Sequence, residues 1–226
     1  MESEQRLPQS LMVSGFGCIR NSRVLLRNID LKVSAGQVLF LKGNNGAGKS
    51  TLLRSLAGLL PWRAGQLNWC GQTLDASSAD YQQHLAYLGH QSGMSDALTG
   101  IENLRFALNM LDVAWLPVSV ATVLGQLDVA AVATRPFGRL SQGQRRRMAI
   151  ARVMLSERPL WLLDEPDNAL DRHGGAFLEE ALKKHTDNGG MAVVVTHRGL
   201  SVSETPSWVL DLSASTLQIP TQDIAC

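Results

Sequence analysis

The chain has 226 residues, with 21 lysines and arginines against 20 aspartates and glutamates and a net charge of +1. That length suits one large domain, or one domain with an inserted lobe. The near-neutral charge argues against sequence-independent binding to nucleic acid, and no apolar run reaches the about 20 residues that a membrane-spanning helix needs. The three cysteines are far apart and form no CxxC pair, so we expect neither disulfides nor a zinc site, and we expect a reducing, cytosolic compartment.

Strand-like and helix-like patterns alternate along most of the chain, which favours an α/β fold. One stretch, residues 92–139, is rich in Ala, Leu and Val at weak helical spacing and is interpreted as an inserted helical lobe. The predicted elements in chain order are strands at 11–13, 24–33 and 37–41, a helix that follows a glycine loop and ends before Pro61, strands at 66–70 and 85–88, the helical lobe, a helix at 141–157, an apolar strand from residue 160, a helix at 171–185, a strand at 192–196 and a hairpin of 207–212 with 216–219.

A phosphate-binding loop is the strongest single motif. Residues 43–50 read Gly-Asn-Asn-Gly-Ala-Gly-Lys-Ser and fit G-x-x-x-x-G-K-[ST] in full, between a strand and a helix. Glycines allow successive backbone N–H groups to wrap a triphosphate, Lys49 adds positive charge at the β and γ phosphates, and the Ser50 hydroxyl joins a Mg²⁺ shell. The predicted ATP-contacting residues here are Gly43, Asn44, Asn45, Gly46, Ala47, Gly48, Lys49, Ser50 and Thr51.

Two carboxylates follow a buried strand later in the chain. Residues 160–163 are four consecutive apolar residues, and Asp164 and Glu165 come directly after them. A parallel strand delivers such residues to the carboxyl edge of its sheet, where ligands bind. We predict that Asp164 holds Mg²⁺ and that Glu165 orients and deprotonates an attacking water. Alternation along a strand would point the two side chains to opposite sides.

Further segments occur in the order found in one P-loop family. Residues 140–144, Leu-Ser-Gln-Gly-Gln, resemble the LSGGQ signature of ABC ATPases, and residues 168–171, Asn-Ala-Leu-Asp, resemble their D-loop. Thr196-His197 resembles their switch histidine, and Gln91 stands where their Q-loop glutamine belongs. The resemblance to ABC ATPases covers about residues 11–212.

The resemblance implies a fold and its divisions. The fold class is α/β: a P-loop NTPase core made of a mixed sheet with flanking helices, an N-terminal antiparallel β subdomain and an inserted helical subdomain. Residues 1–226 would form a single ABC ATPase domain. Its expected parts are the β subdomain and phosphate-loop core at 11–91, the helical subdomain at 92–139, the signature helix and remaining core at 140–212, and a tail at 213–226.

The resemblance also implies that two chains share each ATP. The signature helix of a second subunit would cover the γ-phosphate, so two ATP molecules would lie between the chains of a head-to-tail homodimer. Glu165, His197 and Gln91 would be catalytic, with His197 on the γ-phosphate. Mg²⁺ would be held by Ser50, Gln91 and Asp164. The residues expected to contact nucleotide from the signature and D-loop are Ser141, Gln142, Gly143, Gln144 and Asp171.

The chain departs from the family pattern at two places. Gln142 stands where the signature usually has glycine, and we expect little loss from it. The aromatic residue that usually stacks on adenine is missing from the first strand. Counting back from Gly36 places Arg20 there, whose guanidinium can stack on a base, and Phe16 is a weaker candidate. A dinucleotide fingerprint at residues 15–17 is a weak alternative motif, because its third glycine is missing.

The basic run at residues 145–147 predicts a solvated helix face, with helix and subunit contacts as the alternative.

Segments 89–93, 98–106 and 160–171, in a chain with a single ATPase unit, resemble the ATP-binding subunits of bacterial cytochrome c maturation, or haem export, systems. This resemblance implies integral membrane partner subunits and a peripheral position on the cytoplasmic face of the inner membrane. The main alternative is the ATPase subunit of another small exporter, for lipid, drug or polysaccharide. An ABC protein acting on ribosomes or DNA, and a binding module without turnover, are disfavoured.

Overall fold

The computed structural model describes residues 9–20, 23–196, 200, 202 and 204–215. Over these residues the chain forms two β-sheets flanked by α-helices, with short 3₁₀ turns at Ala130–Val132, Phe137–Arg139 and Leu212–Ser215. The strands are β1 (Ser10–Arg20), β2 (Arg23–Ser34), β3 (Val38–Lys42), β4 (Ala64–Trp69), β5 (Gln72–Leu74), β6 (Leu85–Leu88), β7 (Leu160–Asp164), β8 (Met191–Val195) and β9 (Ser207–Asp211). The helices are α1 (Lys49–Leu56), α2 (Ala79–Gln82), α3 (Gly100–Met110), α4 (Pro117–Gln126), α5 (Gln142–Leu155) and α6 (Arg172–Asp187).

The N-terminal sheet is antiparallel, with strand order β2-β1-β4-β5. Its first strand is much longer than the predicted 11–13, because the pairing continues through register shifts after Val13 and Phe16. Such bulges let a strand continue past glycines that interrupt its apolar alternation. The sheet covers α1 and one face of the second sheet, and the buried side chains of all three form one apolar cluster.

The core sheet has the order β6-β7-β8-β3-β9, and every neighbouring pair in it is parallel. All five residues of β7 and of β8 are buried, as expected for strands covered on both faces. The α/β fold class is confirmed, with the parallel and antiparallel pairs separated into two sheets. Because β3, β6, β7 and β8 run in one direction, the loops at their carboxyl ends share one edge.

Helices α3 to α6 cover the opposite face of the core sheet and form the second apolar cluster. Within residues 92–139 the described backbone contains helices and turns, and its one isolated bridge joins Thr99 and Pro136. Pro117 begins α4, a position where its missing N–H costs no helical hydrogen bond. Nowhere in the described ranges does a helix combine the length and apolar character needed to cross a bilayer.

The end of α1 and the C-terminal strands also differ from the predictions. Helix α1 ends at Leu56, well before Pro61, because Gly58 adopts a φ of 70° and the N–H of Leu59 donates to the Arg54 carbonyl at 2.8 Å. Strand β9 lies parallel beside β3 and leads into a 3₁₀ turn, whereas residues 216–219, the other arm of the predicted hairpin, lie outside the described residues.

Candidate nucleotide site

The glycine loop joins the buried strand β3 to the start of α1. Its glycines Gly43, Gly46 and Gly48 have φ values of 141°, 84° and 97°. At Gly48, the residue that precedes the helix, a Cβ atom would also lie 2.9 Å from the Leu26 side chain. Only glycine therefore fits this position, and the loop keeps the close-packed form that backbone phosphate binding requires.

Lys49 is held inside this loop. Its side chain is buried, and Nζ donates to the carbonyl oxygens of Gly43 at 2.7 Å and Asn44 at 3.0 Å. The phosphate loop therefore holds the ammonium group in place. The neighbouring positions Asn45 and Gly46 are exposed at the tip of the loop.

Ser50 and Asp164 meet at the carboxyl edge of the core sheet. The Ser50 hydroxyl donates to Asp164 Oδ1 at 2.9 Å, which joins the first turn of α1 to the end of β7. Burial and the nearby charge of Glu165 raise the pKa of Asp164, and the Ser50 hydrogen bond partly opposes them. A hydroxyl and a carboxylate are hard oxygen ligands of the kind that Mg²⁺ prefers, so these residues fit the ion. The described ranges contain no group of three His, Cys, Asp or Glu residues for a metal, and a Mg²⁺ site completed by phosphates needs none.

Glu165 lies beyond the strand, in a left-handed conformation with a φ of 50°. The alternation used to predict the directions of the two carboxylates does not reach Glu165, because β7 ends at Asp164. The Glu165 N–H donates to the Val195 carbonyl at 2.9 Å, and Asn168 Nδ2 donates to Glu165 Oε2. The two adjacent carboxylates thus have different partners, which suits the different roles predicted for them.

Asp167 is a buried carboxylate that the sequence motifs do not indicate. It is 4% exposed, and its Oδ2 accepts a hydrogen bond from Thr196 Oγ1 at 2.8 Å. The contact joins the turn after β7 to the end of β8, immediately before His197. The predicted catalytic His197 itself lies outside the described residues.

The basic run is not a solvated helix face, and that prediction is wrong. Arg147 pairs with both carboxylate oxygens of Asp171 at 2.7 and 2.8 Å, and Arg145 Nε donates to the Leu140 carbonyl at 3.0 Å. Asp171 also caps α6 by accepting from the Gly174 N–H at 2.8 Å. The hydrogen bond from the Gly174 N–H has the larger effect and that from Arg147 the next, and together they hold the pKa of Asp171 below its usual range. Its predicted contact with nucleotide stays a prediction.

Arg146, between these two arginines, is buried at 8% exposure. Its guanidinium donates to four backbone carbonyl oxygens: Pro166 at 3.1 Å, Gly89 at 2.8 Å, Asp164 at 2.6 Å and Glu165 at 2.5 Å. No sequence motif indicates this residue. Helical spacing could have found it, because Arg146 precedes the buried residues Ala149, Ile150 and Val153 by three, four and seven positions.

The signature segment begins helix α5 with a capping box. The Gln144 N–H donates to Ser141 Oγ at 3.2 Å, and the Ser141 N–H donates to Gln144 Oε1 at 3.0 Å. Ser141 and Gln142 are exposed. Gly143 lies against the D-loop, since a Cβ atom there would be 3.0 Å from the Ala169 carbonyl oxygen.

The site residues fall into two groups within one chain. Gln91 is exposed and lines a cleft of about 630 Å³ together with Gln142 and Asn168. In the part of the chain that the structure describes, no hydrogen bond or ion pair joins the signature residues 140–144 to the phosphate loop 43–51. The structure therefore unites Lys49, Ser50 and Asp164 in one group and the signature, Gln91 and the D-loop in another.

The two adenine-stacking candidates have different outcomes. Phe16 is fully buried and packs edge-on against Trp62, with ring centroids 4.8 Å apart, so it is not available to a base. Residues 15–17 lie within β1, which excludes the alternative dinucleotide loop, since that motif needs a strand-to-helix turn. Arg20 ends β1, and its side chain lies outside the described residues.

Ser213 contacts the phosphate loop from the C-terminal part of the chain. Its Oγ accepts a hydrogen bond from the Asn44 N–H at 3.0 Å, and its own N–H donates to Asp211 Oδ1 at 2.8 Å. No sequence motif indicates this contact, because it depends on β9 lying beside β3. The first residue of the predicted tail therefore supports the loop.

Comparison with known proteins gives a consistent family. A profile described as ABC transporter matches residues 26–168. The protein named Cytochrome c biogenesis ATP-binding export protein CcmA from Bordetella bronchiseptica is 44% identical over 199 residues, which cover 88% of this chain and 88% of that protein. The protein of the same name from Paraburkholderia xenovorans is 42% identical, over 84% of this chain and 91% of its own length.

A solved structure described as the ATP binding subunit of an ABC transporter matches with a TM-score of 0.79, covering 90% of this chain and 86% of that one. Because the two sequences are 23% identical, this match shows the fold alone. The resemblance to ABC ATPases, and to the subgroup that serves cytochrome c maturation, is confirmed. The chain belongs to the ABC transporter family, within its group of cytochrome c biogenesis ATP-binding export proteins.

Proposed function

We propose that the chain is the ATP-hydrolysing subunit of a membrane complex for haem export, or release of a haem-loaded chaperone, in cytochrome c maturation. The observation that carries ATP chemistry is the Ser50–Asp164 hydrogen bond, which unites the phosphate loop and the acidic strand end in one site. The names of the relatives support the process that this chemistry drives.

ATP would bind with its phosphates in the glycine loop. The backbone N–H groups of the loop and the Lys49 ammonium group would surround the β and γ phosphates, and the positive end of α1 would face them. Ser50 and Asp164 would hold Mg²⁺, and Gln91 would reach the ion from the cleft that it lines with Gln142 and Asn168. When bound, Mg²⁺ neutralises phosphate charge and orients the β and γ phosphates.

Glu165 would accept the proton of the attacking water. The water oxygen then bonds to the γ-phosphorus, the bond from that phosphorus to its bridging oxygen breaks, and ADP and phosphate form. Asn168 holds one carboxylate oxygen of Glu165 by donating to it. His197 would contact the γ-phosphate, where negative charge is concentrated.

A second copy of the chain would complete each site. Ser141 is exposed at the N-terminus of α5, and no hydrogen bond of the described residues ties the signature to its own phosphate loop, so both can contact the ATP of a partner chain. The complex would also contain integral membrane subunits, because the proposed export crosses a bilayer. The chain would lie on the cytoplasmic face of the inner membrane.

The decisive experiment is genetic. We expect deletion of the gene in its native host to abolish covalent haem staining of membrane c-type cytochromes, and the wild-type gene to restore it. Intact c-type cytochromes in the deletion strain would indicate another exporter.

Lys49→Ala tests the ATP site in the same strain. Loss of the ammonium group removes charge from the phosphate site, so we expect ATPase activity to fall by about 100-fold or more, with no restoration of haem staining. Lys184→Ala, which removes an exposed lysine on α6, is the matched control and should behave as wild type. Normal ATP turnover by Lys49→Ala would contradict the assignment of the loop.

A further inference from the structure

Arg146 connects two parts of the site that are distant in sequence. It lies one turn into α5, the helix that begins at the signature, and its side chain reaches the backbone at the end of β7. The same guanidinium donates to the Gly89 carbonyl, two residues before Gln91. One buried group therefore links the signature helix, the Q-loop segment and the turn that carries Glu165.

The contacts of Arg146 surround a strained residue. Glu165 has a φ of 50°, a conformation that non-glycine residues adopt only when neighbouring contacts hold them in it. Arg146 Nη2 donates to the carbonyl of Asp164 on one side and to that of Glu165 itself, while Nε donates to the carbonyl of Pro166 on the other. These bonds hold the backbone on both sides of the catalytic carboxylate.

Nearby carboxylates and carbonyl oxygens stabilise the guanidinium group of Arg146 in this buried position. Burial lowers the pKa of Arg146, and the charges of Asp164, Asp167 and Glu165 oppose that effect. A buried cation is costly unless both its charge and its N–H groups are satisfied, and here the carboxylates supply the charge and four carbonyls accept the hydrogen bonds. Lysine could keep the charge, but its single nitrogen cannot reach carbonyls spread over residue 89 and residues 164–166.

We propose that Arg146 is the positioning residue that couples the signature helix to Glu165. When α5 seats against the ATP of a partner chain, the position of the helix is transmitted through the guanidinium to the turn that aims Glu165 in the chain's own site. The inference rests on the proposed function only for the proton-accepting role of Glu165, and it needs ATP turnover but not haem export.

The test compares Arg146→Lys and Arg146→Gln with wild type in the full-length chain, using MgATP. We expect kcat to fall by about 10- to 100-fold while KM for ATP stays within about twofold, because the phosphate loop is untouched. Arg146→Lys keeps the charge and gives the measurement if Arg146→Gln does not fold. Arg152→Lys is the matched control, since Arg152 is a partly buried arginine of the same helix that donates to the Tyr87 carbonyl at 2.8 Å and not to residues 164–166. It should lower the thermal midpoint but keep kcat within about twofold.

A double variant separates positioning from general weakening. If Arg146 acts through Glu165, adding Arg146→Lys to Glu165→Gln should lower the residual single-turnover rate no further. Multiplicative losses, an unchanged kcat in both Arg146 variants, or an equal loss of kcat in Arg152→Lys would overturn the proposal. A wild-type chain that hydrolyses ATP while its deletion leaves c-type cytochromes intact would refute haem export alone.

Discussion

At the scale of single residues, three adjacent arginines meet three different surroundings. Successive residues on a helix point about 100° apart, so Arg145, Arg146 and Arg147 face the signature turn, the core sheet and the D-loop. A run of like charges alone suggests solvent, and this is why the prediction failed. The periodicity of the buried residues that follow Arg146 carries the missing information.

His185 is a partly buried histidine whose titration is coupled to folding. It stacks on Trp161 with ring centroids 3.8 Å apart, and burial lowers its pKa from 6.5 to about 4. Between these values the unfolded chain binds the proton and the folded chain does not, so stability is lost as pH falls from 6.5 towards 4. We expect this group to contribute a loss of about 2 kcal/mol in the free energy of unfolding between about pH 7.5 and pH 5.

Urea denaturation of His185→Gln at those two pH values checks the prediction. The variant should be less stable than wild type at neutral pH and should lose less stability on acidification. His173→Gln, which changes an exposed histidine at the other end of α6, should keep the wild-type difference. An undiminished pH effect in His185→Gln would place the titrating group elsewhere.

At the scale of elements, the sequence predicts best where burial is simplest. Strands β7 and β8 are covered on both faces and read as unbroken apolar runs, so their positions agree with prediction within a residue. Strand β1 is half covered and interrupted by glycines, and only its first residues carry a recognisable pattern. The end of α1 is set locally by Gly58, whose φ of 70° lets the Leu59 N–H donate to the Arg54 carbonyl, and the prediction took Pro61 as the stop instead.

Helices α3 and α5 both begin with a capping box, which allows a matched experiment. Thr99 and Glu102 form a capping box on α3, and Ser141 and Gln144 form one on α5. Replacement of either cap residue by alanine should cost about 1 kcal/mol of stability. Only Ser141→Ala also removes a hydroxyl proposed to face the γ-phosphate of a partner chain.

We therefore expect Ser141→Ala and Thr99→Ala to lower the thermal midpoint by similar amounts, and only Ser141→Ala to lower kcat, by about tenfold. Thermal melts and steady-state ATP hydrolysis on the two variants give both quantities. Equal kcat losses would mean that Ser141 acts through helix stability alone.

At the scale of the whole molecule, the motifs of one chain form two separate groups. The resemblance to ABC ATPases implies a shared site between two chains, and the separation of the two groups within one chain supports that prediction. The phosphate loop and Asp164 are joined by the Ser50 hydroxyl, while the signature is bonded within its own helix start and lies against the D-loop. The sequence could not show how Arg146 connects the two groups, because its partners lie 57 and 18 to 20 positions away.

This arrangement predicts that ATP controls association of the chains. Glu165→Gln removes the proposed proton acceptor and leaves the phosphate loop intact, so MgATP should hold two chains together without turnover. Light scattering with size-exclusion chromatography should show the mass of one chain without nucleotide or with MgADP, and of two chains with MgATP. Adding Ser141→Arg should keep the affinity for ATP, measured with a fluorescent analogue. It should abolish the dimer, because the new side chain would fill the surface proposed to meet the partner's γ-phosphate. A dimer that forms equally without ATP, or that survives Ser141→Arg, would show that the chains do not associate through nucleotide and signature.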